Sequence, residues 1–75
     1  MLNDKEIIIL VGKNIRKIRK EKGITQEQLA YDCNFEKSTI SRIEAGRANL
    51  TLKTMIKLSQ AMNVELMEFV DNLKP

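Results

Sequence analysis

Between Thr25 and Gly46 the sequence reads TQEQLAYDCNFEKSTISRIEAG, which is typical of two short helices joined by a tight turn. Thr25 is a good N-cap for the first helix, and Gln28, three residues later, is the expected capping-box partner. Asn34 ends that helix, because asparagine tolerates a left-handed backbone better than most residues. The pattern therefore predicts helices over residues 26–33 and 37–45, joined by a turn of about three to four residues.

The two helices differ in the side chains that they present. Leu29, Ala30 and Cys33 form the inner face of the first helix, and the small Ala30 allows a second helix to cross it closely. The second helix turns Ile40 and Ile43 inward and leaves short hydroxyls and long cations outside. Such groups can hydrogen-bond base edges and phosphates in a major groove wide enough for one helix. The second helix is therefore predicted to contact DNA.

Three further helices are predicted around this pair. Apolar residues at helical spacing, bounded by polar breaks, define each of them. The first covers about 4–22, and its core stripe consists of Ile7, Ile8, Val11, Ile15 and Ile18. The fourth covers about 52–62, and its inner residues are Leu52, Met55, Ile56, Ser59 and Met62. The fifth covers about 65–73. Ile9 and Leu10 do not fit the first stripe and are either additional core or part of a subunit contact. The predicted fold is a compact, all-α single domain over residues 1–75.

Composition excludes several classes of function. The chain has 75 residues, 43% of them hydrophobic, with no histidine and one cysteine. These counts exclude a His-ligated metal, an internal disulfide and a thiolate metal cluster, and they leave no imidazole base. No apolar run approaches the ~18 residues of a membrane span, and the short run at 7–11 does not resemble a signal peptide. The sequence therefore predicts a cytoplasmic protein that is not an enzyme and has no cofactor, metal or membrane partner.

Positive charge is concentrated near the N-terminus. The net charge is +3, and residues 1–23 contain seven Lys and Arg against three Asp and Glu, whereas the rest of the chain is nearly balanced. A clustered excess favours a polyanionic partner, nucleic acid before membrane. A solvated helix face would give the same pattern, and charge alone leaves both interpretations open.

Three segments of the chain resemble the Cro/C1-type helix-turn-helix domain of bacterial and phage repressors. They are IRKIRKEKGITQEQLA at 15–30, STISRIEAG at 38–46 and LTLKTMIKLSQAMNV at 50–64, and the resemblance extends over about 11–69. It implies a five-helix, lambda-repressor-like DNA-binding domain that acts as a dimer on palindromic operators. Small phage repressors and the controller proteins of restriction–modification systems are similar, and no segment for sensing a small-molecule effector is visible. Asn34 replaces the usual turn glycine, Leu50 replaces the usual proline, and Glu36 places a carboxylate near the phosphates.

The resemblance also implies roles for individual residues. The residues expected to read bases are Lys37, Ser38, Ser41, Arg42 and Glu36, although the serines could serve phosphates instead and Glu36 could either read cytosine or reduce non-specific affinity. The residues expected to bind phosphates are Gln26, Thr39, Arg47, Asn49, Thr51 and Lys53. Arg19 and Glu44 are expected to form a partly buried ion pair between the first helix and the recognition helix. Leu66, Val70 and Leu73 on the fifth helix are interpreted as a dimer contact, with completion of the core as the alternative.

The predicted function is that of a sequence-specific regulator of transcription. It would bind an inverted-repeat operator as a homodimer, since one recognition helix makes few contacts, and it would regulate its own gene. The alternative is a protein-interaction module of the same fold, such as an antitoxin that binds a partner protein.

Overall fold

Four α-helices and one 3-10 helix follow one another in the computed structural model, which describes residues 1–73. They are α1 Asp4–Glu21, α2 Gln26–Cys33, α3 Lys37–Glu44, α4 Leu52–Met62 and the 3-10 helix Leu66–Val70. No strand occurs in this part of the chain, so the prediction of an all-α fold is confirmed. No helix within residues 1–73 is both long enough and apolar enough to cross a membrane.

Side-chain caps explain where α2 and α4 begin, and a left-handed residue explains where α2 ends. The Thr25 hydroxyl accepts the Gln28 amide at 3.0 Å, and the Thr51 hydroxyl accepts the Thr54 amide at 3.1 Å. Asn34 ends α2 in the left-handed region with φ 59°, as predicted from its residue type. The predicted capping box at Thr25 is only half formed, because the Gln28 side chain donates to Asp32 at 3.0 Å instead.

The core lies where α1, α2, α3, α4 and the 3-10 helix meet. Phe69 is fully buried there, and the other buried apolar residues are Val11, Ile15, Leu29, Ala30, Cys33, Ile40, Ile43, Leu58 and Met62. Ile7 and Ile9 remain 37% and 38% exposed, since the first turns of α1 extend beyond this core. The prediction that Ile7 belongs to the core stripe was therefore wrong.

The inner face of α4 differs from the predicted stripe. Leu58 is fully buried, whereas Leu52 is 63% exposed and Ile56 is 39% exposed. Leu58 continues the row through Met55 and Met62 at spacings of three and four residues, and this row packs against α2. Leu52 lies in the first turn of α4 and remains in solvent.

The fifth helix is shorter than predicted and has 3-10 geometry. It ends at Val70, and Asp71 continues in extended backbone. The side-chain amide of Asn14 on α1 donates to the carbonyls of Phe69 and Asp71 at 2.9 and 3.0 Å. In a continuing α-helix those carbonyls would accept backbone amides four residues later, so these hydrogen bonds favour the observed end of the helix.

Candidate nucleic-acid interface

A rigid turn sets the angle between α2 and α3. Asn34 adopts φ 59° and ψ 40°, and the amide of Phe35 donates to the carbonyl of Ala30 at 2.8 Å. Ala30 is 3% exposed and lies in the core between the two helices. The small side chain and the left-handed residue together produce the two-helix arrangement that the sequence predicted.

The helix α3 has one buried face and one open face. Ile40, Ile43 and Glu44 are buried. On the other side Lys37, Ser38 and Arg42 are exposed, as is the N-cap residue Glu36, while Thr39 and Ser41 are half-buried at the edges. The side chains of Lys37, Ser38 and Arg42 make no hydrogen bond or ion pair with any described residue. They are therefore available to an external ligand.

A buried ion pair holds α3 against α1. The Nε and second guanidinium nitrogen of Arg19 donate to the two oxygens of Glu44 at 2.6 and 3.0 Å. A further guanidinium nitrogen donates to the carbonyl of Ile24 at 2.7 Å, and the side-chain amide of Gln26 donates to Glu44 at 3.0 Å. This bidentate arrangement satisfies both charges and joins α1, the start of α2 and the end of α3.

Gly12 permits a close crossing that residue patterning did not predict. It is buried on α1, and a Cβ atom there would collide with the carbonyl oxygen of Ile43 at the end of α3. The signal in the sequence is a glycine in the middle of a helix, where it would otherwise only lower helix propensity. Gly12 therefore sets how near the recognition helix lies to α1.

The predicted phosphate ligands lie at both ends of α3. Gln26 lines one shallow groove, together with Lys37, which was predicted to read bases, and residues of α1. At the other end the exposed Arg47 and Asn49 line a depression with Lys5 and Ile8. Gln26 is half-buried and already donates one amide hydrogen to Glu44, so its second hydrogen is the one that remains for a phosphate.

The start of α4 supplies two further predicted phosphate ligands. Thr51 and Lys53 are exposed. The Thr51 hydroxyl accepts the Thr54 amide and also hydrogen-bonds the Thr54 hydroxyl at 3.0 Å. It therefore caps α4, and the backbone amides of the first turn remain as the groups that suit an anion.

The predicted dimer residues are only partly covered. Leu66, Val70 and Leu73 are half-buried and pack against the core, so each contributes to the monomer. Beside them Met67 is 71% exposed, and the sequence interpretation did not include it. Met67 was missed because it lies outside the predicted apolar row of Leu66, Phe69, Val70 and Leu73, which packs against the core.

The environment of the single cysteine favours its protonated form. Burial raises the pKa of the Cys33 thiol, the charge of Asp32 raises it further, and Lys57 opposes both. The thiol also contacts the carbonyl of Lys57 at 3.7 Å. Within residues 1–73 no group of three His, Cys, Asp or Glu residues is arranged to hold a metal ion.

Comparison with known proteins identifies the fold. The profile of the helix-turn-helix family matches residues 15–69, which include α2, α3 and α4. The chain belongs to the helix-turn-helix family. The members of this family are DNA-binding regulators of transcription, and the resemblance to the Cro/C1-type domain is thereby confirmed.

Relatives of this helix-turn-helix chain include regulators and controller proteins. It is 41% identical over 61 residues to an uncharacterized HTH-type transcriptional regulator, y4dJ, of Sinorhizobium fredii, covering 81% of this chain and 79% of that protein. It is 36% identical over 66 residues to the control protein C.BamHI of Bacillus amyloliquefaciens, covering 87% and 82%.

A solved structure adds a DNA complex to these relatives. The structure of the restriction–modification controller protein C.Esp1396I, a tetramer bound to its natural 35 base-pair operator, superposes with a TM-score of 0.77. The two sequences are 40% identical, and the match covers 84% of this chain and 83% of that one.

Proposed function

We propose that this helix-turn-helix protein is a sequence-specific transcriptional regulator that binds an inverted-repeat operator as a homodimer and regulates its own gene. The observation that carries the proposal is the open face of α3, on which the side chains of Lys37, Ser38 and Arg42 are exposed and make no hydrogen bond or ion pair within residues 1–73. An 8-residue helix of this kind fits the major groove of B-DNA. The relatives named above are regulators, and C.Esp1396I has been solved on its operator.

Base reading is assigned to the exposed side chains of α3. Arg42 has the geometry to bond guanine O6 and N7 in a bidentate way, and Lys37 can reach the same acceptors as a single charge. Ser38 and Ser41 serve bases or phosphates. Glu36 accepts from the amino group of cytosine or weakens binding elsewhere by repelling phosphates.

Phosphate contacts flank the recognition helix. Gln26 begins α2 and Thr39 is half-buried on α3, while Arg47, Asn49, Thr51 and Lys53 lie in or after the loop that follows α3. Contacts to phosphates fix the position and orientation of a recognition helix but carry no sequence information. They should therefore contribute equally to operator and to unrelated DNA.

Footprinting followed by binding measurements tests this proposal. Footprinting on the DNA directly upstream of the protein's own gene supplies the operator. We expect Arg42→Ala and Lys37→Ala each to weaken operator binding by about 1–3 kcal/mol while affecting scrambled duplex far less. Lys17→Ala, which removes one charge from α1, is the matched control and should leave the operator preference unchanged. Equal losses on both duplexes would show that Lys37 and Arg42 do not read bases.

A protein-interaction module remains the competing proposal. Titration with a mixed-sequence duplex at low salt separates the two, because non-specific DNA binding depends mainly on phosphate charge. Absence of binding there would favour a protein partner, as expected for an antitoxin.

A further inference from the structure

We infer that Arg16 and Lys20 on α1 form a second phosphate-binding surface that extends the DNA contact beyond the helix-turn-helix. This inference rests on the proposed DNA-binding function. The feature that supports it is the groove between α1 and the starts of α2 and α3. Arg16, Lys20, Gln26 and Lys37 all line this groove.

Three elements bring polar and positively charged side chains together in this groove. Arg16 and Lys20 are one helical turn apart on α1, and both are exposed. Gln26 begins α2 and Lys37 begins α3. The groove is continuous with the recognition helix because Lys37 belongs to both.

The charge of the groove is positive and largely uncompensated. Arg19 also lines it, but Glu44 neutralises that guanidinium. Arg16, Lys20 and Lys37 have no carboxylate within ion-pair distance among residues 1–73, where Arg19–Glu44 is the only salt bridge. Among the described residues, Glu27 is the one unpaired carboxylate that lines the groove. Three free cations against one carboxylate suit a polyanion.

A neighbouring part of α1 lies among negative charges, so the cluster of cations is confined to the groove. Lys17 lines a separate depression together with Glu21, Glu68 and Asp71. A phosphate approaching there would meet three carboxylates. Lys17 and Arg16 are adjacent in sequence and both exposed, yet only Arg16 faces the groove that adjoins Gln26 and Lys37.

Salt dependence of binding provides the test. The probe is a mixed-sequence 30-base-pair duplex, because phosphate contacts are independent of sequence. For each phosphate contact removed, the slope of log K against log [salt] should fall by about 0.9 and the affinity at 0.1 M salt by roughly five- to tenfold. We expect this result for Arg16→Ala and Lys20→Ala, and about twice the change in slope for the double variant. Arg16→Lys should keep most of the slope because it keeps the charge.

The controls separate failure of this inference from failure of the proposed function. Lys17→Ala removes the same charge from the same helix and should leave the slope close to that of the wild type. If the wild type binds the duplex but Arg16→Ala and Lys20→Ala keep its slope, α1 does not touch phosphates and only this inference is overturned. If the wild type does not bind the duplex even at low salt, the DNA-binding function and this inference are both overturned. Thermal melts of each variant confirm that the exposed substitutions leave the fold intact.

Discussion

The ion pair between Arg19 and Glu44 determines where the recognition helix lies. The side chains of the two residues are only 9% and 3% exposed, so both charges have lost most of their water. The pair itself contributes little net stability, because desolvation offsets the Coulombic attraction. Its effect is on geometry, since Glu44 can be buried only where the Arg19 fork meets it. Arg19 is therefore assigned to the scaffold, in contrast to its neighbours Arg16 and Lys20.

Removing one partner of this ion pair should destabilise the protein strongly. We expect Arg19→Ala to lower the free energy of unfolding by about 3–5 kcal/mol, since Glu44 would remain buried without its partner. The double variant Arg19→Met/Glu44→Leu should lose much less, because it leaves no isolated charge. Urea denaturation followed by circular dichroism measures both. A double variant as unstable as the single one would show that the pair itself supplies the stability.

The thiol of Cys33 should make stability depend on pH in the alkaline range. Burial raises its pKa in the folded protein, so the unfolded chain loses this proton at lower pH. The contribution of this raised pKa to the free energy of unfolding is fully present below the pKa of a free thiol, about 8.5. It is lost as the pH rises through the pKa of the folded protein. We expect the free energy of unfolding to fall more steeply above about pH 8.5 in the wild type than in Cys33→Ala. Parallel pH curves for the two proteins would contradict this expectation.

At the scale of the helices, the sequence predicted the bounds of the helices better than it predicted which of their faces are buried. The bounds predicted for α2 and α4 match the structure because Thr25, Asn34 and Thr51 are capping residues whose effect is local. The prediction of the inner face of α4 was partly wrong, because two apolar stripes fit the sequence of this helix. Only packing against α2 selects the stripe that contains Leu58. The early end of the last helix at Val70 was also missed, since it is favoured by hydrogen bonds from Asn14, which is more than fifty residues away in sequence.

In the candidate site, too, some features could be predicted from the local sequence and others depend on how the helices pack. The outward hydroxyls and cations of α3 could be predicted from periodicity, because they follow from the buried positions of Ile40 and Ile43. The groove that contains Arg16 and Lys20 could not, since it exists only where α1 meets the first residues of α2 and α3. Sequence showed the excess of charge on α1 but not which cations face the same direction as Lys37.

The close crossing of α1 and α3 can be tested at Gly12, because helix propensity and packing predict opposite changes in stability for Gly12→Ala. In an exposed helix, glycine to alanine stabilises by up to about 1 kcal/mol. At Gly12 the new methyl group would collide with the carbonyl of Ile43, so we expect Gly12→Ala to destabilise by about 1–3 kcal/mol. Lys13→Ala, at the next and exposed position, should change stability by less than about 0.5 kcal/mol. Thermal and urea denaturation measure both variants, and a stabilised Gly12→Ala would exclude the close crossing.

At the scale of the whole molecule, size favours a dimer on DNA. Residues 1–73 extend 35 × 21 × 20 Å, and α3 with 8 residues is about 12 Å long. In the proposed function, one recognition helix of this length would therefore read only a few base pairs in one major groove. Two such helices on one face of DNA must lie about 34–36 Å apart, one turn of the duplex. A twofold dimer of molecules this size can reach that spacing, and the proposed contact must then lie away from α3.

The 3-10 helix is the surface on which we expect this dimer to form. Leu66, Val70 and Leu73 are only half-buried, and Met67 beside them is 71% exposed. We expect Met67→Lys to shift the protein from dimer to monomer, because it would place a charge in an apolar contact without disturbing the core. Leu52→Lys replaces another exposed apolar side chain, 63% exposed on α4, and is the matched control. Sedimentation equilibrium measures the association, and operator binding should weaken in parallel for Met67→Lys alone. If Leu52→Lys loses the dimer and Met67→Lys keeps it, the dimer contact lies on α4 and not on the 3-10 helix.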